Sequence, residues 1–135
     1  MIVPDASAVA LLFADPGSDS RVDAATRVLT DDPEWVVPEI WRTEMLSVFR
    51  GLSLGGKLTD QDADRALRWL QTITVITAPS GPCLARMWEL RRNLSTYDAG
   101  YVAVAESHDL TLVTADVRIA KAGVARCAVR TVTAG

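Results

Sequence analysis

Four acidic residues stand in this 135-residue chain where a carboxylate is costly, and one chemistry explains them all. Asp5, in the opening "IVPDASA", separates two short apolar runs. A charge at the edge of a hydrophobic core needs a counter-charge or hydrogen-bond donors to offset its lost hydration. Asp116, in "LVTADVRIAKA", follows a strand-like run in the same way. In "PEIWRTEMLSVFRGL", a turn of 100° per residue puts Ile40, Trp41, Met45, Val48, Phe49 and Leu52 on one apolar face, and Glu44 lies inside it. In "STYDAGYVAVAES", Asp98 shares a stripe with Tyr101, Val102 and Ala105, three, four and seven residues on.

Each acid also has a plain structural account. Asp98 and Asp116 suit helix caps or first turns, and Glu44 can reach solvent from the margin of its face. Capping accounts less well for Asp5, because Ser7 is the better-placed cap for the helix that follows. A shared cation accounts for all four together. Two carboxylates about 4 Å apart repel by about 4 kcal/mol at an effective dielectric of about 20, so without a counter-charge one or more should bind a proton. Oxygen donors without His or Cys select a hard ion, Mg²⁺ or Mn²⁺.

Composition narrows the alternatives. His108 is the only histidine, and Cys83 and Cys127 have no partners at metal-ligand spacing, which removes zinc fingers and most zinc enzymes. Both thiols read as core packing, and His108 as a surface residue at a helix end. The net charge of −3 does not advertise nucleic-acid binding. Twelve of the 14 basic residues are arginine, which suits bidentate phosphate contacts and equally fits a bias in codon composition. With 49% hydrophobic residues, residues 1–135 should form a single domain. Neither a membrane span nor a secretory signal is indicated, so a cytoplasmic location is expected.

Elements must bring these acids together. Strand-like runs lie at 2–3, 35–37, 75–77, 112–114 and 128–132, and helical spacing at 7–14, 20–29, 39–54, 60–72, 83–93, 98–107 and 117–122. This alternation predicts an α/β fold with a mostly parallel sheet covered by helices on both faces. Ligands of such sheets sit beyond the C-terminal ends of the strands, where Asp5 and Asp116 both fall.

In order and spacing, "IVPDASA", "PEIWRTE", "STYDAGYVAVAE" and "LVTAD" followed by "VRIAKA" resemble a PIN-domain protein, specifically a VapC-type toxin ribonuclease of a toxin–antitoxin pair. The resemblance runs essentially end to end. It implies a three-layer α/β/α sandwich and a metal-dependent endoribonuclease that cleaves RNA by water attack, leaving 5′-phosphate and 3′-hydroxyl ends. Asp5, Glu44, Asp98 and Asp116 become the acidic quartet, with Asp5, Asp98 and Asp116 on Mg²⁺ or Mn²⁺ and Glu44 holding or deprotonating a water. Ser7 and Thr114 take supporting roles. Also implied are a homodimer and a cognate VapB-like antitoxin that lies in an apolar groove, for which Leu12, Phe13 and Trp41 are candidates alongside ordinary core packing. Arg91 and Arg92, shortly before Asp98, are candidate RNA contacts, or a solvated helix surface.

Other classes fit less well. A phospho-accepting receiver domain wants paired acids after its first strand and a lysine at a late strand end, and the only lysines are Lys57 and Lys121. A D-x-D phosphatase fails at Ser7. A metal-free ribonuclease that uses the 2′-hydroxyl normally needs more than one histidine. A non-catalytic PIN module that binds RNA or protein and keeps the acids for stability stays open.

Overall fold

The computed structural model describes residues 1–134. Among the described residues five strands, β1 (Ile2–Pro4), β2 (Val36–Pro38), β3 (Ile76–Ala78), β4 (Thr111–Thr114) and β5 (Val129–Thr131), alternate with seven α-helices. The helices are α1 (Ala6–Ala10), α2 (Val22–Asp31), α3 (Trp41–Leu54), α4 (Asp60–Thr72), α5 (Leu84–Glu89), α6 (Thr96–His108) and α7 (Val117–Ala122). Short 3₁₀ turns at Leu11–Phe13 and Gly81–Cys83 adjoin α1 and α5.

All the strand pairs are parallel. β1, β4 and β5 form one ladder, β2 and β3 another, and the bridge Ile2–Trp35 joins them into the order 3-2-1-4-5. From β1 the chain moves outward to β2 and β3, then returns across the sheet to β4 and β5. Right-handed crossovers running in opposite directions put their helices on opposite faces, which gives the α/β/α layers expected from the strand and helix alternation. α6 lies across β1, β2 and β4 on one face, while α1 packs on α3 on the opposite face. Residues 99–105 of α6 are all buried, as a helix clamped between the sheet and α5 requires.

Strand order reverses between β1 and β4, and this is the crevice where ligands of parallel sheets bind. Asp5 leaves β1 there, its N–H bonded to the Val113 carbonyl at 2.9 Å, and Thr114 ends β4 beside it.

The local starts and stops differ from the sequence reading chiefly at α1, α5 and α6, with shifts of one or two residues at α2, α3 and the strands. Asp5, not Ser7, caps α1: it has extended backbone (φ −78°, ψ 170°) and its carboxylate accepts from the Ala8 N–H. α1 tightens into a 3₁₀ turn after Ala10. Ser95 caps α6, so the helix starts at Thr96 and Asp98 falls in its first turn. Helix α5 stops at Glu89, where i→i+3 bonds from Arg91 to Trp88 and from Asn93 to Leu90 turn the chain toward α6.

Candidate metal centre

Asp5 is the deepest of the four acids, only 4% exposed, and its carboxylate is held by three donors. Oδ1 accepts the Ser7 hydroxyl at 2.6 Å and the Ala8 N–H at 3.0 Å, and Oδ2 accepts the Thr114 hydroxyl. Both hydroxyls are oriented from behind as well. The Ser7 Oγ accepts the Ala115 N–H at 2.9 Å, and the Thr114 Oγ1 accepts the Asp116 N–H at 3.0 Å. Since each hydroxyl has one proton and gives it to Asp5, the two oxygens, 3.2 Å apart, touch without donating to each other. A carboxylate that only accepts, from three fixed donors, is arranged as an anion.

The other acids approach from separate elements. Glu44, half-buried in the first turn of α3, accepts the Tyr101 hydroxyl at 2.7 Å. That phenol is 2% exposed on α6, one turn after Asp98. Asp116 caps α7 through the Arg118 N–H at 2.9 Å and is gripped by the Arg118 guanidinium. The guanidinium Nη2 reaches Oδ2 at 2.6 Å, and Nε lies 3.0 and 3.1 Å from the two oxygens. Helix α7 ends at Gly123, whose φ of 66° is the left-handed conformation that glycine adopts freely.

These carboxylates act on one another. Burial raises the pKa of Asp5 despite its three hydrogen bonds, and the charge of Asp98 adds to the rise. Burial also raises Glu44, opposed by the Tyr101 bond and reinforced by the charges of Asp5 and Asp98. Asp98 is raised by burial and by Asp116, against the Ser95 hydroxyl and the Arg118 charge. Asp116 alone is lowered, chiefly by its hydrogen bonds to Arg118.

An excess of negative charge on oxygen donors alone suits a hard divalent ion in both chemistry and sign. Among the described residues, no group of three or more Asp, Glu, His or Cys side chains is arranged to hold a metal as it stands. Asp116 is turned to Arg118 and Glu44 to Tyr101. The donor set therefore fits such an ion by type and electrostatics, and side-chain rotations would have to bring the oxygens together.

Tyr101 and Arg118 are the participants that sequence reasoning missed. Tyr101 counted only as one of an apolar stripe, and Arg118 stands two residues after an acid, a spacing that signals an ion pair only once the loop geometry is known. Arg91 and Arg92 lie exposed beyond α5, with the Arg91 guanidinium 4.5 Å from the centre of the Trp88 ring. Trp41 is fully buried and Phe13 packs edge-on against Phe49 and Trp69 at 4.7 and 5.0 Å, so of the groove candidates these two serve the core. An apolar groove of about 560 Å³ does open between α3 and α4, lined by Leu46, Phe49, Ala63 and Leu67.

Comparison with known proteins agrees with this layout. The PIN domain profile matches residues 2–125. The ribonuclease VapC9 of Mycobacterium tuberculosis is 37% identical over 132 residues, 98% of each chain. In fold, the chain is similar to FitAB bound to the IR36 DNA fragment (TM-score 0.68, 19% identity, 97% of this chain and 94% of that one). It is also similar to FitAcB from Neisseria gonorrhoeae (TM-score 0.67, 20% identity, 96% of both). With its acids at the β1–β4 crevice and a match that runs nearly end to end, the chain belongs to the PIN-domain family and, within it, groups with the VapC proteins.

Proposed function

We propose that the chain, acting as one domain, is a metal-dependent endoribonuclease of the toxin–antitoxin type. The observation that carries this reading is a set of carboxylates linked by charge from Glu44 through Asp5 and Asp98 to Asp116, with Asp5 and Asp116 at the strand-order reversal, in a chain aligned end to end with ribonuclease VapC9. Asp5, Asp98 and Asp116 would hold Mg²⁺ or Mn²⁺, which when bound supplies the positive charge that polarises a scissile phosphate and acidifies the attacking water.

The chain's own groups do the rest. Ser7 and Thr114 keep Asp5 ionised and aimed. Glu44, its carboxylate steered by Tyr101, accepts the proton of the water that attacks phosphorus, and the 3′ oxygen leaves as a hydroxyl, taking a proton from solvent. Exposed Arg91 and Arg92 are offered to the RNA backbone. A cognate VapB-like antitoxin, for which the α3–α4 groove provides apolar lining, would restrain the activity of a homodimer in the cytoplasm. Among the described residues, no helix is long and apolar enough to cross a membrane.

The test is incubation of the full chain with cellular RNA in Mn²⁺ and in EDTA, with mapping of the ends produced. Cleavage in Mn²⁺ alone, leaving 5′-phosphates, is expected; 2′,3′-cyclic phosphate ends would refute water attack. A small antitoxin encoded beside this gene is expected, and its co-expression should relieve toxicity. The engagement of Asp116 by Arg118 favours a second reading, a non-catalytic module that binds RNA or protein, and binding without cleavage in Mn²⁺ would establish it.

A further inference from the structure

Arg118 has two features that do not belong together in a purely structural residue. It makes a two-pronged contact to Asp116, yet its side chain is 82% exposed while that of Asp116 is 21% exposed. The contact is not needed to start α7, because the Asp116 carboxylate caps the helix by accepting the backbone N–H of residue 118, whatever side chain that residue carries. Exposed ion pairs contribute little to stability, so this one can be given up cheaply. Its charge also favours the ionised form of Asp98.

We propose that Arg118 is a two-position residue: a latch on Asp116 while the acidic site is empty, and a ligand of the substrate phosphate once a divalent cation takes Asp116. The inference rests on the metal-dependent nuclease reading and deepens it. The guanidinium occupies both oxygens of Asp116, so a cation that coordinates this carboxylate competes with it directly and repels it. Once displaced, the guanidinium is held by its backbone within a side chain's length of the crevice. Its planar fork of donors matches a phosphate as well as it matched the carboxylate, and its exposure leaves it free to pivot.

The two positions predict opposite effects of one substitution, which a merely structural arginine would not show. In Arg118→Gln, removing the competitor should lower the Mn²⁺ midpoint of a binding titration of the folded protein at fixed temperature, by up to about fivefold, the equivalent of an exposed ion pair. In saturating Mn²⁺ the same variant should cleave a short single-stranded RNA with a lower kcat/KM. The salt dependence of its logarithm should flatten by about 0.7, the slope that one neutralised phosphate of a single strand contributes. Arg118→Lys, which keeps the charge without the fork, should retain the salt slope. Melting in EDTA shows that both variants fold. An Mn²⁺ midpoint that is unchanged or raised in Arg118→Gln overturns the latch, and an unchanged salt slope overturns the phosphate interaction. If wild type shows no Mn²⁺-dependent cleavage, the nuclease reading fails separately, and the Mn²⁺ midpoint still decides the latch.

Discussion

Thr114→Val is the sharpest probe of how Asp5 is held. Threonine and valine have nearly the same shape, so at this fully buried position the exchange removes a hydroxyl and little else. Two groups are left without a partner: the Asp5 Oδ2 and the Asp116 N–H. An unsatisfied buried group costs about 1–3 kcal/mol, and more when charged. Asp116 is partly exposed and can turn to water, so the total should be about 2–4 kcal/mol, or about 6–15 °C in melting temperature for a chain of this size. Thr114→Ser, which keeps the hydroxyl and drops one methyl, should cost about 1 kcal/mol. Because its folded pKa lies above the unfolded value, Asp5 destabilises the fold when ionised, and that penalty disappears as pH falls through the folded pKa. Removing the Thr114 donor raises the pKa further. Urea unfolding in EDTA should therefore show a Val–Ser gap that is widest at neutral pH and narrows toward about pH 4. A gap below about 0.5 kcal/mol, or one indifferent to pH, would refute the view that Thr114 holds Asp5 as an anion.

Two further substitutions test the neighbouring groups. Asp5→Asn can keep its bonds, since the amide oxygen still faces Ser7 and Ala8 and the amide nitrogen can donate to Thr114, whose proton then turns to the Ser7 Oγ 3.2 Å away. In EDTA its melting temperature should equal or exceed that of wild type. Mn²⁺ should stabilise it less, and RNA cleavage should fall on the order of 100-fold or more; wild-type behaviour in both assays would make Asp5 a cap alone. Tyr101→Phe retains the buried ring and strips Glu44 of a hydrogen bond that lowers its pKa. We expect kcat to fall about tenfold with KM unchanged, and the acid limb of the pH–kcat profile to move to higher pH. An acid limb that stays put would remove Glu44 from the proton transfer.

The sequence made periodic features legible because they are local. Strand positions followed from short apolar runs and helix positions from 3.6-residue spacing, and the placement of Asp5 and Asp116 at one sheet edge followed from the rule for parallel sheets. The bond from Tyr101 to Glu44 was not legible, because a stripe reports which face is buried and not which hydroxyl meets a carboxylate 57 residues away. The cap of α1 was assigned to Ser7 because both residue types cap well. The choice fell to the extended backbone at Asp5, imposed by its exit from β1, and Ser7 became a donor to Asp5 instead. The bridge between the two ladders was equally invisible, since Ile2 and Trp35 meet through tertiary packing.

The bond from Thr114 to Asp5 spans 109 positions of the chain. On the ribosome, Asp5 emerges long before its partner exists, and at about 5–20 residues per second the delay is about 5–20 s. Throughout that time the first acid lacks its β4 partner, and the nascent polypeptide carries no assembled centre. Any message cut or stalled before β4 is decoded yields a harmless fragment. The long closure of β1 on β4 thus makes completed synthesis a condition of activity, a timing property that a centre built from adjacent residues would not have.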